Sequence, residues 1–443
     1  MIDNIKDIPY STAEFDKEGG LLSQPTVPAG TTDLIVASHG WKNDRDAAER
    51  LYTRLFENFA DVTKDDPAFK QRKIAIVGVI WPSKKFNNFV TEPASDRVAG
   101  GAASAGSVDR EASKAAMLEA IDLAASFFDD AGADEQVAEL RKLVPKLEAE
   151  DPEAQRQFVE TLRKLLDPDG SHAGEQSSDD GSAVFFRAPA DVVFGRAAQA
   201  PATVPAPSET ESGGPGDSVG RAAGIGSFFS GAARAVTNLL NLTTYFEMKK
   251  RAGTVGKNGL APLLDTLANQ VERIHLAGHS FGGRVVTAAA ANSTTRKLYS
   301  MALLQAAFSH NGFSRKRKGF FRSVVTNKRI SGPIFVTHTK NDKAVGIAYP
   351  TASRISRDNA SGFGDADDEF GGLGANGAQQ MDEGEIVTTI NELLPVGKTY
   401  QWQAGKFHNL ESSKFIVDPE GKDAHGMVFV PQVAWALSRA IVS

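Results

Sequence analysis

RIHLAGHSFGGRVV, residues 273–286, runs from an apolar stretch into a cluster of small residues with Ser280 at its centre. Its first half reads as a buried strand, and GRVVTAAAANS after it reads as a helix. Between the two lies G-x-S-x-G, made by Gly278, His279, Ser280, Phe281 and Gly282. A serine placed directly after a strand and opening a helix predicts a nucleophile elbow. The sharp turn strains the serine backbone, and its neighbours must lack bulky side chains to avoid clashes. Gly278 and Gly282 meet that need, and Gly283 lets the helix pack closely. The helix N-terminus also favours negative charge developing on a bound acyl oxygen.

Working outward, DLIVASHG (33–40) and KIAIVGVIWPS (73–83) have the same buried-strand character. So do LYSMALLQAAF (298–308) and GPIFVTHTKND (332–342). Helical periodicity separates them. In residues 44–62, Leu51, Leu55, Phe59 and Val62 share a stripe behind Asp44, a candidate cap, and VPQVAWALSRAIV (430–442) is a closing helix. Strands alternating with helices predict an α/β fold with a mostly parallel sheet and helices on both faces. The alternation breaks between about 84 and 235. Residues 109–166 carry helical periodicity, then DPDGSHAGEQSSDDGS and APATVPAPSETESGGPGDS read as linkers. The expected organisation is therefore a core over 1–85 and 236–443, with a helical cap and flexible linker over 86–235. Deletion of about 168–218 is expected to leave a folded and active protein. Residues 221–246 read as a helix packed on the core, with a lid helix or a membrane-surface helix as the alternatives.

A serine alcohol needs a base, and the base needs an orienting acid, in the chain order Ser, Asp or Glu, His. Asp342 stands just past a strand at the carboxyl edge of the expected sheet, while QAAFSHNG, at the preceding strand end, carries no carboxylate. Two histidines follow Asp342. His408 lies in or just after a strand-like run, and His425 sits in a loop feeding the last helix, which favours His425 as base. Phe281 N–H is one expected oxyanion donor. The second is Trp41 N–H, after a strand ending at His39-Gly40, where Gly40 lets the backbone come close. No cofactor and no metal is expected. The carboxylates at 365, 367, 368 and 369 lack the spacing of a calcium loop.

Strand-HGW-x-N-D, strand-WPS (81–83) and GHSFGGRVV together resemble the bacterial α/β-hydrolases, in particular a subgroup of largely uncharacterised function with an HG-x-N loop and a W-P-S strand end. TTYFEMKKRAGTVGKNGLAPLLDTL (243–267) is similar to that group too, and the resemblance covers about 31–85 and 240–443. Asn43 stands one residue later than that pattern places it. The resemblance implies a serine-nucleophile hydrolase. An apolar insertion suits an acyl chain, so a carboxylic ester is the expected substrate, small or lipid-like, with amide or peptide cleavage as the variant of the same chemistry. A catalytically silent hydrolase-like binding module is the rival from another class. A membrane-acting lipase is a third reading, drawn from 221–246 and the basic run RKRKGFFR (315–322).

Composition narrows the rest. Among 443 residues, 41% are hydrophobic, enough for a substantial core, and the net charge of −6 argues against a general nucleic-acid binder. The chain has no cysteine, which excludes disulfides and thiolate chemistry. Its opening is polar and acidic without a Sec-type signal, so a cytoplasmic protein is expected, with non-Sec export as the alternative.

Overall fold

The computed structural model describes residues 3–41, 43–83, 110–125, 127–128, 132–167, 182–200, 231–342, 345, 371–421 and 423–443. The linker sequences at 168–181 and 201–218, the start of the 221–246 stretch and the carboxylates at 365–369 lie outside them. So does most of the loop after Asp342.

Nine described strands form one sheet: β1 Asp3–Ile5, β2 Ile8–Phe15, β3 Leu21–Ser23, β4 Asp33–Ser38, β5 Ile74–Ile80, β6 Arg273–His279, β7 Leu298–Leu304, β8 Ile334–His338 and β9 Phe407–Glu411. The order is β1-β2-β5-β4-β6-β7-β8-β9, with β3 paired to β2. From β2 to β9 every neighbour on this path is parallel, and only β1 and β3 run antiparallel, both against β2. The fold is α/β with a mostly parallel open sheet, as the alternation predicts. The five strands expected from apolar runs all form. The opening segment, read only as polar, supplies β1 to β3 as well. In β2 buried Ser11, Ala13 and Phe15 alternate with more exposed Thr12 and Glu14, a pattern weaker than that of a strand covered on both faces.

Helices cover both faces, named here in chain order. On one face α1, Arg45–Thr63, packs against the closing helix. The Asp44 side chain caps α1 by accepting the Ala47 N–H. On the other face lies a helical layer of α2 (Arg110–Ala125), α3 (Ala133–Glu148), α4 (Pro152–Leu166), α5 (Ser182–Arg187) and α6 (Ala190–Gln199). The long α7 (Gly231–Thr254), a π-helical turn over Val255–Leu260, α8 (Ala261–Leu267) and α9 (Phe281–Asn292) complete that face, and α10 (Pro431–Ile441) closes the chain beside α1. Each fully buried Leu, Val or Phe in these layers contributes about 1.5–3 kcal/mol.

Two expectations about the insertion need revision. Residues 182–199, inside the span read as dispensable, form α5 and α6, and Phe185, Val193, Phe194 and Ala197 are buried. They share one hydrophobic cluster with Leu34, Val36 and Leu276 of the sheet, so removing 168–218 removes part of the core. The described part of 221–246 belongs to α7, which is buried on nearly every side between α6 and α9. The boundary placed at 235/236 falls inside this helix. Among the described residues no helix is long and apolar enough to cross a membrane. In RKRKGFFR the side chains at 315–318 are exposed. Phe321 is buried, and Arg322 pairs with Glu385 at 2.7 Å and with Asp382 at 3.2 Å.

Candidate functional site

The register of the sheet assembles the site. Ser38 of β4 lies opposite Val79 of β5 and Gly278 of β6, so His39-Gly40, Trp81 and His279-Ser280 leave the sheet side by side at its carboxyl edge. Ser280 links β6 to α9 with φ 55° and ψ −126°, a backbone conformation that costs a non-glycine residue on the order of 1–3 kcal/mol. Three backbone hydrogen bonds hold it there. Its N–H donates to Leu304 O at 3.1 Å, and its carbonyl accepts Gly283 N–H at 3.0 Å and Ala307 N–H at 2.9 Å. The glycines are explained by crowding. A Cβ on Gly40 would stand 2.5 Å from the Ser280 Cβ and 3.1 Å from its Oγ, and a Cβ on Gly282 would collide with the Ser38 carbonyl. Gly278 is packed against the backbone of Gly282 and Gly283.

Asp342 and His425 meet across the edge of the sheet. His425 Nδ1 lies 2.9 Å from Asp342 Oδ2. The Asp342 side chain is fully buried, while that of His425 keeps 13% of its surface exposed. Because a carboxylate only accepts, Nδ1 carries the proton, which leaves Nε2 as the nitrogen that can take one. The Asp342 carboxylate is itself oriented by the Val345 N–H, at 2.9 Å. The His425 ring lies 4.8 Å from the ring of His279, whose carbonyl carbon is bonded to the Ser280 nitrogen. His408 is elsewhere. It sits within β9, fully buried, its Nε2 accepting Gln403 N–H at 3.1 Å, and burial pushes its imidazole down to about 4. It is a neutral histidine of the fold.

The loop after β4 is built by contacts that sequence reading did not anticipate. His39 is buried and stacks on Trp81 at 5.6 Å, and the Trp81 indole N–H donates to His39 O at 3.1 Å. His39 Nε2 accepts Trp81 N–H at 3.3 Å, so its Nδ1 carries the proton given to Gly40 O at 2.8 Å. Asn43, to which no role was assigned, is buried and donates to Gly40 O at 3.3 Å and Trp41 O at 3.4 Å. Ser83 in turn donates to Asn43 O at 2.8 Å. HGW-x-N-D and WPS are therefore two loops that hold each other. With both His39 and Asn43 on the Gly40 carbonyl, the Trp41 N–H of the same trans peptide is turned the opposite way. Phe281, the other expected donor, is the first residue of α9, where helix geometry leaves the N–H without an intrahelical acceptor.

An aromatic wall continues from this loop into the helical layer. The Trp41 ring packs edge-on against Phe281 at 5.9 Å and Phe127 at 6.4 Å, and Tyr245 of α7 lies 5.3 Å from Phe281. The buried Arg251 of α7 ties the two together, donating to Pro82 O at 3.1 Å and Phe127 O at 3.3 Å. Ser280, the His425–Asp342 pair and the loop carrying Trp41 thus lie at the carboxyl end of β4, β6 and β8, beside an apolar wall. No protein-family model, curated protein or solved structure matches this chain.

Proposed function

We propose that this protein is a serine hydrolase of the α/β-hydrolase type that cleaves carboxylic esters. The observation that carries the reading is Ser280 in its strained turn at the start of α9, with the Asp342-bound His425 beside the adjacent His279. In this mechanism His425 takes the Ser280 hydroxyl proton through Nε2 as Oγ attacks the acyl carbonyl. Asp342 holds the imidazole in the required tautomer and stabilises its charged form. The N–H groups of Phe281 and Trp41 stabilise the oxyanion, His425 then protonates the leaving alcohol, and water releases the acyl group by the reverse proton path. An uncharged ester is the preferred substrate because the half-buried Trp41 ring, backed by the buried Phe127 and Phe281, makes this border of the site apolar, and amide cleavage by the same groups is the variant.

A fluorophosphonate probe tests the reading directly. Wild-type protein is expected to carry one adduct, on Ser280, and to hydrolyse p-nitrophenyl esters with a preference that a chain-length series would define. A folded protein that takes no label would overturn the proposal and favour a binding module built on the same scaffold.

A further inference from the structure

We propose that His279 is a positioning residue that sets the base against the nucleophile, an assignment that rests on the function proposed above. His279 is the last residue of β6, buried, and joined through its own peptide bond to Ser280. Its Nε2 lies 3.0 Å from the backbone carbonyl of His425. A carbonyl only accepts, so Nε2–H donates, and the link runs from the nucleophile's own strand to the backbone of the base. Phe429 packs edge-on against the His279 ring at 5.7 Å.

The rest of the base loop explains why such a link is needed. Residues 423–430 carry no regular structure apart from turns. The loop is tied to the β8 end, where Ala424 N–H donates to Asn341 O at 3.1 Å and the His425 ring meets Asp342. Further on, Asn58 of α1 donates to Phe429 O at 2.9 Å. Both of these anchors reach the loop from elements other than β6. Among the described contacts His279 ties it to the strand bearing Ser280, and it does so at the base itself. Misplacement of a reacting group by about 1 Å costs on the order of 10²-fold in rate.

The matched pair His279→Gln and His279→Met separates this role from simple packing. The two side chains have nearly the same length, and glutamine keeps an N–H donor where methionine has none. Measured per folded molecule on the full chain, fluorophosphonate labelling of Ser280 and kcat for a p-nitrophenyl ester are expected to fall roughly 10²-fold in the methionine variant. KM should stay within about twofold, and the glutamine variant should recover most of the loss. His279→Leu serves as the second donor-free variant if the methionine protein does not fold. Methionine or leucine variants that react like the glutamine variant would overturn this assignment while leaving the hydrolase reading standing. A wild-type protein that takes no label would overturn both.

Discussion

Among the described residues there are two histidine–aspartate pairs, one toward each end of the strands, and by hydrogen bonding alone the amino-end pair, not the pair of the proposed site, resembles a catalytic set. At the amino end His275 Nδ1 lies 2.8 Å from Ser300 Oγ and its Nε2 3.1 Å from Asp33 Oδ1, a continuous Ser–His–Asp chain. At the carboxyl end the site pairs His425 with Asp342 at 2.9 Å. The difference lies in backbone and access. Ser300 lies within β7, beside an irregularity in the β6–β7 pairing but without a positive φ, and is buried, as is His275 with no exposed side-chain surface. Ser280 sits in a turn that only surrounding glycines permit, and His425 retains a path to solvent. A hydrogen-bonded triad is common polar satisfaction, whereas a strained serine with a solvent-facing base needs another explanation. The largest expected effect tests this contrast. Ser280→Ala should abolish labelling and lower ester turnover by about 10⁴-fold or more. Ser300→Ala should leave turnover per folded molecule within about twofold. Loss of labelling on Ser300→Ala without unfolding would reverse the two assignments.

The acids should part in the same way, by different readouts. Asp342→Asn is expected to lower kcat by roughly 10³–10⁴-fold, because an amide no longer fixes the tautomer that leaves Nε2 basic, with little change in melting temperature. Asp33→Asn should spare turnover and cost stability by about 3–5 kcal/mol. Asp33 is buried and accepts from Arg72 at 2.7 Å and from Thr32 at 2.6 Å as well as meeting His275, so the substitution leaves Arg72 without its charge partner and the other two with a weaker acceptor. Chemical denaturation alongside steady-state kinetics on both variants would check this.

The same contrast explains how much could be read in advance. The strands at 33–40, 73–83, 273–280, 298–308 and 332–342 are legible because a strand covered on both faces is apolar throughout. Ser280 is legible because its turn imposes glycines at fixed offsets. His425 and Asp342 follow from chain order and from what a base must reach. The amino-end pair gives no such signal, since Asp33 and His275 lie 242 residues apart and each sits in a strand that is otherwise apolar. Side-chain to backbone contacts, such as Asn43 on Gly40 or Arg251 on Pro82, have no periodicity at all. Helices α5 and α6 hide between polar runs, because a six-residue and a ten-residue helix offer too few turns to display a stripe.

A smaller effect is expected at the loop proposed to hold the oxyanion, where the site borrows the kind of buried polar contact that joins the amino-end pair. Asn43→Ala removes one of the two donors that hold the Gly40–Trp41 peptide, while His39 keeps the other. Turnover should fall roughly 10- to 10²-fold, less than the 10²–10³ that removal of an oxyanion donor itself costs, with Ser280 labelling slowed in parallel. Ester kinetics with melting curves would read it, and a stability loss with unchanged kcat would make Asn43 part of the scaffold alone.

The smallest expected effect concerns protons, and it sharpens the division between the buried histidines away from the site and His425. Burial lowers the imidazole of His275, against the opposing pull of Asp33, and holds His408 at about 4. An unfolded histidine titrates near 6.5, so between that value and its lower native value the unfolded chain binds more protons than the folded one. Stability from these groups is therefore complete above about pH 6.5 and declines as the pH falls, for His408 through a window that ends near pH 4. Asp33 enters later. Burial opposes its ionisation, but hydrogen bonds from His275 and Thr32 and the charge of Arg72 bring it to about 2, so its contribution is complete above the usual carboxylate range and is lost as the pH falls from there to about 2. One such histidine can add a slope of at most about 1.4 kcal/mol per pH unit. His408→Gln should flatten the stability curve between pH 6.5 and 4 without moving the pH profile of ester turnover, because His408 does not face Ser280. Denaturation midpoints and kcat/KM measured across that range would check both halves. A shift of the kinetic profile in His408→Gln would bring His408 back into contention as the base.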